Sequence, residues 1–253
     1  MRPTPAQASL ATERACIDID YPTDPVAFFA THQFSGLKGW IDQATAAALA
    51  QELLTVHARM AAGTNPAIPF LAKLPWPIAS LPDDVIRGLR LADLADLAEE
   101  LLGGRPARAL SWQAFARKAG EKATTIHADG DFVPMSGQGV AFWIPLTPTP
   151  GRTGLVAITD IDGTGLRPVR QGDQDPGDLT WHDLDVLHWA EDQAVDFVAL
   201  GFGVFPDGEC LDLSGNPTNA AIRTLIARRI FTAPRDGQPG AGPTTPLIAS
   251  LPR

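Results

Sequence analysis

Cysteine is nearly missing from this chain: Cys16 and Cys210 lie far apart and outside any CxxC spacing. That excludes a disulfide framework and a zinc knuckle, and leaves two incidental or buried thiols. Clustered positive charge is missing too. Twenty Lys and Arg face 29 Asp and Glu, for a formal net charge of −9, whereas a phosphate-binding surface needs basic residues grouped together. Neither nucleic acid nor an anionic membrane is therefore expected as a partner. No run reaches the roughly 18 apolar residues of a membrane span, and the opening MRPTPAQASLATERACIDID lacks the apolar core of a signal peptide. A soluble, cytoplasmic protein acting on a small-molecule substrate is the expectation. No internal repeat and no domain boundary interrupts the sequence.

What is present is enough apolar material, 45% of 253 residues, to bury a sizeable core. Residues 1–24 are polar and aperiodic and read as a partly ordered arm, residues 25–232 as a single domain, and residues 233–253, rich in Pro and Gly, as a tail. A short helix and a strand are expected in PVAFFATHQFSGLKGWI. Asp42 then caps an Ala- and Leu-rich helix, with Ala46, Leu49, Leu53 and Val56 on one face. His32 and His57 read as helix-flank residues. The five prolines among the apolar residues of 65–82 suggest a packed covering loop. A second helix, DVIRGLRLADLADLAEELL, is capped by Asp83 or Asp84 and stopped at Gly103-Gly104. Beyond it the period changes. Short apolar or alternating runs separated by Gly, Pro and Asp turns suggest a β-sandwich or barrel with helices outside it.

Within that second part, TTIHADGDF places His127 and Asp129 two residues apart. On a strand such side chains share a face and can hold one metal ion, whereas on a helix they splay apart. A His and an Asp in a polar loop would read the same way, so the rest of the chain has to decide.

Three stretches carry a resemblance: HAD at 127–129, GVAFWIPLTPTPGRTGLVAI at 139–158 and GFGVFPDGECLDLSGNPTNAAIRTLIARRIF at 201–231. Together they resemble the phytanoyl-CoA dioxygenase family of iron(II)- and 2-oxoglutarate-dependent oxygenases, over roughly residues 25–231. The resemblance implies a mainly β fold, a double-stranded β-helix (jelly-roll, cupin-like) core preceded by helices. It also implies Fe(II), 2-oxoglutarate as cosubstrate and O2. Two imidazoles and one carboxylate would hold the metal and leave positions open for the cosubstrate and O2. Arg223 would pair with the distal carboxylate of 2-oxoglutarate, its planar fork suiting that role, with Ser214 as hydroxyl partner. Lys118 and Trp143 match further positions close to the cosubstrate.

One position departs from the pattern. Eleven residues before Arg223 the family has histidine, and this chain has Asp212, while the preceding Gly-Asp turn reads Gly201-Phe202. Three repairs are open. Asp212 itself binds, giving a harder donor set shifted toward Mn, Mg or Ca. His188 binds instead in another register, since GDLTWHDLDVLH imitates the Gly-Asp to His run, although no arginine occurs in the twelve residues after it. Or the site binds no iron. His182, beside Asp183, reads as an exposed turn residue.

The first functional reading is an oxygenase that hydroxylates, desaturates or rearranges a small organic molecule, in secondary metabolism or in catabolism. Asp129 is retained, so nothing points to the halogenase variant, in which that residue is small. The substrate is expected under the 65–82 loop and near Phe132, Met135 and Phe142. The alternative is a metal-altered or cofactor-free relative that keeps the fold as an isomerase, a cyclase or a binding protein.

Overall fold

The computed structural model describes residues 12–61, 88–109, 113–131, 138–148 and 155–206. The first helix, α1 (Pro25–His32), starts where Asp24 accepts a hydrogen bond from the Ala27 N–H, with Pro25 in its first turn, and ends at a left-handed Gln33. Strand β2 (Phe34–Leu37) follows, then α2 (Gln43–Ala61), whose N-terminus is held by Asp42 through the Thr45 N–H and hydroxyl. The Asp42 cap is the one expected from the sequence.

Helix α3 (Leu91–Leu101) begins after Arg90, a left-handed residue with φ of 53°. The Arg90 guanidinium lies 4.5 Å over the Trp40 ring, donates to the Trp40 carbonyl and pairs with Asp93. These contacts fix the start of α3. The caps proposed at Asp83 and Asp84 lie outside the described residues. At the other end Gly103 and Gly104 have φ of 72° and 79° and stop α3 as expected.

The strands form two sheets. One has the order β1 (Ile17–Ile19), β7 (Arg167–Gln171), β6 (Leu155–Thr159), β9 (His188–Ala190). The other has the order β2, β8 (Leu179–Asp183), β5 (Val140–Pro145), β10 (Phe197–Pro206), β3 (Ala107–Ala109), with β4 (Gln113–Arg117) also paired to β10. Strand β1 falls inside the presumed N-terminal arm and pairs in parallel with β7. From β7 onward the chain crosses between the sheets at every step, β7 to β8, β8 to β9 and β9 to β10, as a double-stranded β-helix requires. The expected fold class is observed.

Alternation along the large sheet assigns its two faces. Val140, Phe142 and Ile144 of β5, Leu179 and Trp181 of β8 and Val198 and Leu200 of β10 pack in one cluster with Leu49, Leu53, Leu94 and Leu101 of the helices. Burying each such side chain contributes about 1.5–3 kcal/mol. The residues between them, Ala141, Trp143, Thr180 and His182, therefore point the other way, toward the small sheet. Phe142, expected beside the substrate, belongs instead to the helix-covered core.

Candidate metal centre

His127 and His188 face one another across an isolated antiparallel bridge, with His127 N–H donating to the His188 carbonyl at 3.0 Å and the reverse bond at 2.8 Å. Opposed residues of such a pair project to one side, and the two rings lie 4.5 Å apart. Ala128, fully buried with Ile158 and Leu187, anchors the segment. The expected strand does not continue. Asp129–Asp131 is a 3-10 turn, tied by the Gly130 N–H to the Leu184 carbonyl. The turn brings the Asp129 carboxylate back beside the imidazoles, so His127 and Asp129 converge, although by a bridge and a turn and not by strand alternation.

The hydrogen bonds fix which ring atoms face inward. His127 Nδ1 lies 2.7 Å from the Thr125 carbonyl oxygen, and His188 Nδ1 lies 3.0 Å from that of Val186. A carbonyl only accepts, so each Nδ1 carries the proton and each Nε2 presents a lone pair. Those Nε2 atoms are 3.7 Å and 3.6 Å from Asp129 Oδ1. One ligand atom from each of the three residues can be chosen so that all lie within 4.8 Å of one another. Two imidazole nitrogens and a carboxylate oxygen thus converge, an arrangement that suits a cation. Two imidazoles held by carbonyl hydrogen bonds and one carboxylate are a donor set for a divalent first-row metal.

The electrostatics agree. Burial alone would raise the Asp129 pKa, but the His182 hydrogen bond and the neighbouring imidazoles outweigh it and hold the carboxyl at about 2. Burial, with His182 alongside, holds His188 down at about 3. At neutral pH the first is a carboxylate and the second a neutral imidazole, the forms that bind metal.

His182 corrects the sequence reading directly. It lies on β8, is buried rather than exposed, and places Nε2 3.3 Å from Asp129 Oδ2 with its ring 4.3 Å from that of His188. Its alternation with the core-facing Trp181 was the available signal.

Of the other residues singled out in the sequence, Trp143 lies on the same sheet face as His182, one non-adjacent pair along, because Ala141 pairs with His182 and Trp143 with Thr180. Trp143 stacks on Phe197 at 5.7 Å and touches Phe115 at 4.9 Å. Lys118 is exposed, and its ammonium pairs with Asp196 at 2.6 Å, a surface ion pair. Gly201-Phe202, expected as a turn, is the middle of β10. Asp212, Ser214 and Arg223 lie outside the described residues, as do Phe132, Met135 and the 65–82 loop.

No protein-family model and no curated protein matches the sequence. Solved structures do. The chain is similar to the non-heme alpha ketoglutarate dependent epimerase SnoN from nogalamycin biosynthesis, at 17% identity over 77% of this chain and 86% of that one, with a TM-score of 0.58. The chain shares the fold of this enzyme. It is also similar to the non-heme monooxygenase ThoJ in its Ni complex, at 18% identity over 74% and 79% with a TM-score of 0.60, and to the non-heme alpha ketoglutarate dependent carbocyclase SnoK from nogalamycin biosynthesis, at 14% identity over 76% and 86% with a TM-score of 0.57. Among the described residues no helix is long and apolar enough to cross a membrane.

Proposed function

We propose that this chain is a non-haem Fe(II)- and 2-oxoglutarate-dependent oxygenase acting on a small organic molecule, of the phytanoyl-CoA dioxygenase type. The observation that carries the reading is the convergence of His127 Nε2, His188 Nε2 and Asp129 Oδ1 within one small cluster. In this reading those three residues are the metal ligands. The finer family assignment is supported by the Gly177-Asp178 turn, from which strand β8 leads to His188, eleven residues after Gly177. When bound, iron with 2-oxoglutarate and O2 supplies the oxidising power for hydroxylation, desaturation or rearrangement. The chain's own contribution is orientation: the Thr125 and Val186 carbonyls aim the imidazoles, and Asp129 supplies the negative charge that a divalent cation requires. Trp143, on the inward face of β5, offers the cosubstrate an aromatic wall, whereas the count that assigned Arg223 and Ser214 to its distal carboxylate started from Asp212 and does not carry over to His188, eleven residues after which stands Ala199 of β10. The named epimerase and carbocyclase among the similar structures are consistent with a substrate from secondary metabolism.

The alternative of a metal-altered relative rested on Asp212 standing where a histidine was wanted. With His188 as the third ligand that support falls away. The test is anaerobic titration of the purified protein with Fe(II) and 2-oxoglutarate, followed by the weak visible charge-transfer band of the chelate. The proposal expects the band in the wild type and in Asp212→Ala, and its loss in His188→Ala. No band and no thermal stabilisation by either component would sink it.

A further inference from the structure

The two oxygens of Asp129 have different partners. Oδ1 faces the lone pairs of His127 and His188, whereas Oδ2 lies 3.3 Å from Nε2 of His182. A carboxylate oxygen only accepts, so His182 carries its proton on Nε2, opposite to the tautomer of the other two rings. Its Nδ1 has no partner among the described residues, leaving nothing to draw the proton there. His182 is 4% exposed and rigidly backed: its backbone pairs with Phe34 of β2 on one side and with Ala141 of β5 on the other. The large sheet thus delivers one N–H to the back of a carboxylate whose front faces the small sheet's imidazoles.

We propose that His182 is a positioning residue for the metal centre, its Nε2–H occupying Asp129 Oδ2 so that Asp129 binds the metal through Oδ1 alone. The inference rests on the metal-binding reading above. Its consequence concerns open positions. A carboxylate free to bind through both oxygens takes an extra coordination site, and a cation held by two imidazoles and one such carboxylate has fewer sites left for exogenous ligands. His182 is not itself a ligand in this arrangement, because the atom nearest the carboxylate is the one bearing hydrogen, and the compact ligand cluster consists of His127, Asp129 and His188.

The test uses Co(II), whose visible bands report coordination number, with the full chain and three variants. His182→Gln keeps an amide N–H near the position of Nε2. His182→Asn keeps a buried amide but places it short of Asp129, and His182→Phe fills the space with no donor. Wild type and His182→Gln are expected to bind one Co(II) with affinities within about threefold and with the same spectrum. The Asn and Phe variants are expected to bind roughly 10–100-fold more weakly, with bands altered in intensity as the carboxylate turns. If His182→Phe does not fold, the Asn and Gln pair still decides. Wild-type affinity and spectrum in the Asn variant, or an equal loss in Gln and Asn, overturns the inference while leaving the metal site standing. Failure of the wild type to bind Co(II) overturns both.

Discussion

Replacing Gly177 by alanine tests whether the turn feeding β8, and through it His182 and His188, is built as described. Gly177 has φ of +95°, outside the conformations open to alanine without strain, and a Cβ there would collide with the Ile41 carbonyl oxygen and sit 3.1 Å from its carbon. The same residue accepts a hydrogen bond from the Ile41 N–H at 3.0 Å and donates one to the Pro145 carbonyl at 2.8 Å. Ile41 cannot retreat without loosening the first bond. The backbone strain costs about 1–3 kcal/mol, and one buried backbone group left unpaired adds about 1–3 kcal/mol. A total near 4 kcal/mol lowers Tm by roughly 8–16 °C in a chain of this size. Gly39→Ala is the control, since Gly39 also has positive φ, +64°, but nothing within 4 Å of a Cβ; it should cost only about 1–2 kcal/mol. Thermal and urea unfolding of the two variants measure the difference. If Gly177→Ala proves no worse than Gly39→Ala, the packing of Ile41 against this turn is refuted.

Three further outcomes follow from the structure. Tyr21 donates to Asp178 Oδ2 at 2.8 Å, and burial, with that carboxylate beside it, raises the phenol pKa; Tyr21→Phe removes a donor from a buried charge and should cost about 1.5–3 kcal/mol in urea unfolding. A Cβ on Gly201 would lie 2.8 Å from a Phe115 ring carbon and 3.4 Å from one of Trp143, so Gly201→Ala should lower stability by about 1–3 kcal/mol through overpacking, and an unchanged Tm would contradict the aromatic packing. Chelator-treated protein should lose stability on acidification: His188 is held at about 3 and Asp129 at about 2, both below their unfolded values, so the unfolded chain takes up protons first. The imidazole contribution is complete above about pH 6.5 and is lost as pH falls toward 3; urea midpoints at pH 7.5 and 5 should differ more in the wild type than in His188→Gln.

The helices were legible where their ends carry local chemistry: Asp42 caps through its own side chain, and Gly103 and Gly104 supply the left-handed stop. Strands β5, β6 and β10 were legible as apolar runs. Strands β7 and β8 were not, since RPVRQ and LTWHD mix charge into buried positions. Arg170 is buried only because Asp18 and Glu191, distant in sequence, both meet its guanidinium. No local pattern announces such a pairing. His182 was misread for a related reason. On β8 its polar neighbours suggested solvent, but the inward face of this sheet is where the site's polar groups gather, so alternation with Leu179 and Trp181 marks the face toward the small sheet and not an exposed edge.

The proposed third ligand shows how two glycines with different physical duties can shift a register. Gly201 was read as a turn, and with it the whole run to Asp212 and Arg223 took on the family's spacing. In the structure Gly201 lies mid-strand, opposite Trp143, where its missing side chain makes room for Phe115. Gly177 is the glycine that turns, with positive φ, and Asp178 beside it accepts from the Gly39 and Asp175 N–H groups. Counted from that turn, β8 comes next and His188 follows on β9, opposite His127. Spacing identifies a ligand only once the turn that starts the count is known, and glycine is required at that turn by its positive φ and by the close approach of Ile41, about 136 residues earlier in the chain, which no short motif contains.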